Sequence, residues 1–193
     1  QIGSSIEYGK INSPQIESSK IPKKTHSIYG DAKLLSTKFL LKLWRKKSFP
    51  TTIIRLYLVY GPYQDANRII PITITNAIKD KKFDCSEGKQ LRDFIFVDDV
   101  ISAIIKIIKS KKSSGEIINI GSGKPLSVKN VINKICKLVK KGRPQFGKIK
   151  LRKDEILILY PDIKKAKKLL RWRPKTSIKN GLNKTISFFK KCY

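Results

Sequence analysis

Thr51-Thr52-Ile53-Ile54-Arg55-Leu56-Tyr57-Leu58-Val59 is almost unbroken in apolar, β-branched and aromatic residues, the pattern of one strand buried on both faces. Tyr60-Gly61-Pro62 stops it. Upstream, Leu34, Leu35, Phe39, Leu40, Leu43 and Trp44 recur at helical spacing, which predicts a long amphipathic helix from Ile28 to about Lys46, closed by Pro50. A helix feeding a doubly buried strand favours a parallel α/β sheet over an all-α or all-β domain. The alternation continues downstream. Helices are predicted over 69–79, 100–109 (capped by Asp98-Asp99), 127–139, 162–170 and 178–189, with strands over 83–85, 93–97, 117–120 and 148–151. Gly142-Arg143-Pro144 breaks the helix that ends at Val139. Gly121-Ser122-Gly123 reads as a tight turn and not a phosphate cradle, because Pro125 follows and no third glycine opens the next helix. One compact lobe with a smaller helical tail is expected.

With 193 residues, 40% of them hydrophobic and 9% aromatic, the chain can bury one real core. It contains no Met and opens on Gln1 without a signal-peptide pattern, which points to the C-terminal part of a longer protein. The net charge of +29 suggests an anionic partner, yet the lysines are scattered, arginines are few and aromatics are not interleaved with the basic runs. Nucleic acid is therefore not the expected partner; an acidic small molecule such as a nucleotide diphosphate is served equally well by a positive field. Cys85, Cys136 and Cys192 lie far apart and His26 is the only histidine, so neither a zinc site nor a disulfide framework is expected. A cytoplasmic setting fits, and no apolar run approaches the ~20 residues of a membrane span.

Tyr29 and Lys33 stand four residues apart at the start of the long helix, so both project from one face. An ammonium beside a phenol favours phenolate, which suits an acid/base that interconverts hydroxyl and ketone near neutral pH. Residues 1–9, QIGSSIEYG, read as a strand end running into a Ser-rich turn, where parallel α/β sheets place reactive groups. Residues 10–27 form a loop that returns the chain to the tyrosine.

The order of GSSIEYG, Tyr29 to Lys33, RLYLVYGP (55–62), LRDFIFVDDV (91–100), EIINIGSG (116–123) and DIKKAKKLLRWRP (162–174) resembles the extended short-chain dehydrogenase/reductase family, the NAD-dependent epimerases, dehydratases and reductases of nucleotide sugars. The resemblance implies the C-terminal part of a Rossmann-like parallel sheet with a small mixed α/β substrate lobe. Residues 1–62 would hold the second half of the Rossmann-like domain, and 63–193 mainly the nucleotide-sugar lobe with segments returning to the main sheet. The glycine-rich dinucleotide motif is missing, so the resemblance implies an NAD or NADP enzyme whose fragment alone is inactive, and a full-length homodimer formed through the Tyr-Lys helix.

The same resemblance implies roles for residues. Ser4, with Ser5 adjacent, would hydrogen-bond the reacting sugar oxygen; Tyr29 would exchange the proton; Lys33 would tune Tyr29 and bind the nicotinamide ribose. Arg92 and Arg152 would hold the nucleotide diphosphate, and Glu155, or Asp154 beside it, the nucleotide ribose. Dehydratases of the family place Asp-Glu directly after the Ser/Thr; Ser5 and Ile6 stand there, which disfavours dehydration. The wording of residues 3–9 is closer to the reductases that make deoxysugars for surface polysaccharides than to the galactose epimerases. Reduction of a 4-keto nucleotide sugar is thus expected, with 4-epimerisation and a catalytically lapsed binding fragment as the alternatives. Leu58 stands where the family often has an asparagine that donates to phosphate.

Overall fold

The computed structural model describes residues 1–25, 27–152 and 154–192; His26 lies outside them. The chain opens with β1 (Ile2–Ser4), which runs into a single 3-10 turn over Ser5–Tyr8. A loop then leads to α1 (Ile28–Lys47), capped by Ser27 Oγ, which accepts the Gly30 N–H at 3.0 Å. The predicted strand 51–59 is two strands, β2 (Ile53–Leu56) and β3 (Leu58–Tyr60). They belong to different sheets. The chain turns at Tyr57, whose carbonyl accepts the Val59 N–H at 2.9 Å and whose buried hydroxyl donates to Gln15 Oε1 at 2.8 Å. Both halves are apolar, so hydrophobicity alone carries no mark of the break.

α2 (Ile69–Ile78), β4 (Lys82–Asp84), β5 (Leu91–Phe96), α3 (Val97–Ile108) and β6 (Ile117–Ile120) follow. Then come β7 (Pro125–Ser127), α4 (Val128–Val139), β8 (Arg143–Gln145), β9 (Ile158–Leu159), α5 (Lys164–Leu170) and α6 (Ile178–Lys191). β1, β2 and β6 form a parallel sheet in the order β1-β2-β6, with Ile2 opposite Ile54 and Ile54 opposite Ile118. The second sheet is centred on β5, which pairs parallel with β3 and β9 and antiparallel with β7. β4 and β8 make a separate parallel pair.

β5 also divides the interior, because successive strand residues face opposite ways. Phe94 and Phe96 enter a core with Ile70, Ile74, Ile132, Ile135, Leu182 and Ile186 from α2, α4 and α6. Ile95 enters the other core, beneath the main sheet, with Ile118, Ile120, Ala103 of α3, Ala166 of α5 and Trp172. The two C-terminal helices are therefore not a tail: each closes one core.

Other expectations are corrected by where backbone donors find partners. Asp98 and Asp99 lie inside the first turn of α3 and neither caps it by a side-chain bond. Asp99 instead accepts the N–H groups of Lys175 and Thr176 at 2.9 and 3.0 Å, fastening the approach to α6. Residues 143–145 form a strand where only a break was expected, and 148–151 do not. Gly121-Ser122-Gly123 is a turn whose donors already hold an anion. Asp93, 1% exposed, accepts from Ser122 N at 2.6 Å, Ser122 Oγ at 2.8 Å and Gly123 N at 2.7 Å.

Only Gly30, Leu34 and Thr37 of α1 are buried, while Leu35 and Phe39 are more than 60% exposed. β1 is the last strand of its sheet among the described residues, so α1 overhangs the edge. No described helix is long and apolar enough to cross a membrane.

Candidate active site

The C-terminal end of β1 delivers Ser4 to a cleft of about 600 Å³. Ser4 Oγ accepts the Ile6 N–H at 3.3 Å, and the Glu7 carboxylate reaches back to the Ser4 N–H at 2.8 Å, a reciprocal cap that fixes the turn. The Ser4 hydroxyl proton has no acceptor among the described residues. Ser5, Ile6, Gly9, Ser27 and Tyr29 line the same wall.

α1 enters at a glycine. A Cβ on Gly30 would lie 2.6 Å from Ile6 Cγ2 and would also strike Thr25 Oγ1, so only glycine lets the helix start approach the Ser4 turn this closely. Gly30→Ala gains helix propensity, worth about 0.5–1 kcal/mol, but is expected to cost a net ~1–2 kcal/mol through that overlap. A urea melt checks this; a variant more stable than the parent contradicts it.

Tyr29 is 54% exposed with Lys33 Nζ 5.6 Å from its ring centre. Lys33 Nζ donates to Ile2 O at 3.0 Å, which anchors it to the edge of β1 behind the tyrosine. The spacing of 29 and 33 thus does what the helix geometry dictates.

The same cleft carries the arginines. Arg92, on β5, is 8% exposed; Nη1 donates to Leu91 O at 2.8 Å and Nη2 pairs with Glu155. Burial pulls the Arg92 guanidinium below its usual range and the Glu155 carboxylate opposes the shift. Arg152 Nε lies 3.6 Å from the other oxygen of Glu155, with its side chain largely in solvent. Arg92, Arg152, Asp154, Glu155, Ser4, Ser5 and Tyr29 all line this one cleft; Lys33 alone stands behind its wall. Leu58 lines it too, 39% exposed.

Two residues escaped the reading of the sequence. Arg68, at the start of α2, lines the cleft, but an arginine ahead of an apolar run reads as a solvated helix flank. Glu7 is fully buried, and nothing in its spacing announces that.

For a dinucleotide, the described residues fit one end only. Lys33 beside Tyr29 at an open sheet edge suits a ribose hydroxyl. No glycine-rich strand-turn-helix for a pyrophosphate is present among them, and the Gly121–Gly123 donors are taken by Asp93.

The parallel sheet, the Tyr-x-x-x-Lys helix along its edge strand and the cleft at the strand ends define a Rossmann-like α/β protein. Residues 1–121 match the NAD dependent epimerase/dehydratase family, and the chain belongs to it, as the resemblance implied. It is 33% identical to the CDP-abequose synthase of Salmonella muenchen over 69% of this chain and 46% of that protein. It is 30% identical to the human dTDP-D-glucose 4,6-dehydratase over 88% of this chain and 50% of that one. The Bacillus cereus UDP-glucuronic acid 4-epimerase, solved with UDP-glucuronic acid and NAD, superposes with a TM-score of 0.90 at 29% identity, over all of this chain and 61% of that one. The chain spans about half the length of the curated relatives it matches.

Proposed function

We propose that this chain carries the reacting groups and the substrate lobe of an NAD(P)-dependent nucleotide-sugar oxidoreductase that reduces a 4-keto sugar, in deoxysugar and surface-polysaccharide synthesis. The supporting observation is that Ser4 and Tyr29 share one cleft with Arg92 and Arg152. In this reading, residues 1–62 supply the Ser/Tyr/Lys side and 63–193 mainly the nucleotide side.

When bound, NAD(P)H would supply the hydride to the sugar carbonyl carbon. Ser4 holds the carbonyl oxygen with its free hydroxyl proton, and Tyr29 gives that oxygen its phenolic proton as the C–H bond forms. Lys33 steadies the phenolate left behind and holds the nicotinamide ribose. Arg92 and Arg152, both paired with Glu155, bind the diphosphate through their remaining N–H donors, and the free lone pairs of Glu155 are open to the nucleotide ribose. Ser5 and Ile6 offer no acid/base pair for eliminating water. In the full protein a homodimer is expected, with no nucleic-acid or membrane partner.

The second reading is 4-epimerisation, in which the same groups run oxidation and reduction in turn. It is favoured by similarity to the UDP-glucuronate 4-epimerases of Thermodesulfobacterium geofontis, at 33% identity, and Bacillus cereus. Product NMR of the full reading frame decides: net reduction supports the first reading, equilibrating C4 epimers without net cofactor use the second.

Arg92→Met is expected to weaken UDP binding about 10–100-fold, the loss of hydrogen bonds to charged groups worth roughly 1.5–3 kcal/mol. Calorimetric titration of UDP measures it. Unchanged affinity would remove Arg92 from the diphosphate site.

A further inference from the structure

We infer that Glu7 is a positioning residue that sets the distance between Ser4 and the Tyr29–Lys33 face of α1, an inference resting on the roles proposed above for those three residues.

Glu7 is completely buried and its carboxylate spans three elements. Oε1 accepts the Ser4 N–H at 2.8 Å; Oε2 accepts from Thr37 Oγ1 at 2.8 Å and from Arg55 Nε at 3.1 Å. Ser4 closes β1, Thr37 belongs to α1 and Arg55 to β2. Thr37 follows Lys33 by four residues and Tyr29 by eight, so all three stand in one row on the helix. One side chain thereby ties the serine's backbone to the helix that bears the other two groups.

The surroundings make room for it. A Cβ on Gly3 would run into the Glu7 carboxylate and come within 2.9 Å of Ile54 O. Arg55, also completely buried, supplies the balancing charge, its guanidinium 4.2 Å over the Tyr8 ring. Tyr8 in turn donates to Asn119 Oδ1 at 2.8 Å, extending the network to β6.

Stability is a poor reason for this arrangement. Both Arg55 Nη atoms are buried without a partner among the described residues. A buried ion pair is commonly matched or bettered by apolar residues of similar volume. Apolar residues could fill the space, but they could not grip the Ser4 N–H and the Thr37 hydroxyl at once.

The test uses the full reading frame with two variants, Thr37→Val and the charge-free double substitution Glu7→Leu with Arg55→Met. Hydrogen exchange and steady-state kinetics are followed in both. In the double variant the Ser4 amide is expected to exchange at least about 10-fold faster while Ile54 and Ile118 are unchanged. Turnover should fall ~10–100-fold with KM for the nucleotide sugar within about twofold, as expected for a misplacement near 1 Å. Thr37→Val, which cuts only the link to α1, should lower kcat by about 3–10-fold. Exchange accelerated evenly over both sheets, or unaltered Ser4 protection with unaltered kcat, overturns the inference. A parent protein that turns over no nucleotide sugar sinks the proposed function instead; the exchange pattern still decides whether Glu7 fixes Ser4.

Discussion

Tyr29→Phe is expected to lower kcat on the nucleotide sugar by about 10²–10⁴-fold, the range for removing a general acid/base, while UDP affinity stays within roughly twofold. The substitution removes one oxygen. Phenylalanine keeps the ring, which lies half in solvent on the cleft wall with Lys33 alongside. α1 is held elsewhere, by the Ser27 cap, Leu34 and the Thr37 bond, so its fold does not depend on the phenol. The arginines belong to other segments lining the same cleft and are untouched. A loss of binding equal to the loss of turnover would mean that Tyr29 holds substrate and transfers no proton.

Asp93→Ala is expected to cost about 3 kcal/mol of stability. It strands two backbone N–H groups and a hydroxyl that now donate to a charged acceptor, each such bond worth roughly 1.5–3 kcal/mol before the desolvation of the carboxylate is set against it. Urea unfolding checks it, and a loss below ~1 kcal/mol would mean that water replaces the carboxylate at no cost. Burial pushes the Asp93 carboxyl above the usual range, and the bonds from Ser122 and Gly123 pull it part of the way back. A carboxyl whose pKa is higher folded than unfolded binds its proton more tightly in the folded state. Its contribution is therefore fullest below the unfolded value and is lost as pH rises through the folded one. The stability gap between the parent and Asp93→Asn should accordingly widen in the parent's favour as pH falls from about 7 toward about 4.

What could be read in advance was set by local rules. β6 and α4 fall where a β-branched run and a Ser cap place them, and α1 begins within one turn of its tyrosine because Ser27, the apolar spacing and Pro50 bracket it. What could not be read depends on distant partners. The break at Tyr57 separates two equally apolar halves. β7 and β9 are two- or three-residue additions to β5 with no alternation of their own. Asp99 bonds a segment 76 residues on, and Asp93 fills a turn 29 residues on.

The cleft divides similarly. The pairing of Tyr29 with Lys33 follows from helix geometry. Ser4, Ser5, Arg92, Arg152 and Glu155 were placed by resemblance, because no periodicity links residue 4 to residue 155; the fold brings them to one cavity. Glu7 shows the limit: nothing in GSSIEYG marks it for burial, and its partner Arg55 lies 48 residues later.

The most direct measurement is nicotinamide absorbance of the full reading frame on mixing with a panel of nucleotide 4-keto sugars. Stoichiometric oxidation of NAD(P)H that depends on Tyr29 is the expected result. Neither cofactor oxidation nor epimer exchange in a protein that still binds UDP would contradict the account and leave a binding module without catalysis.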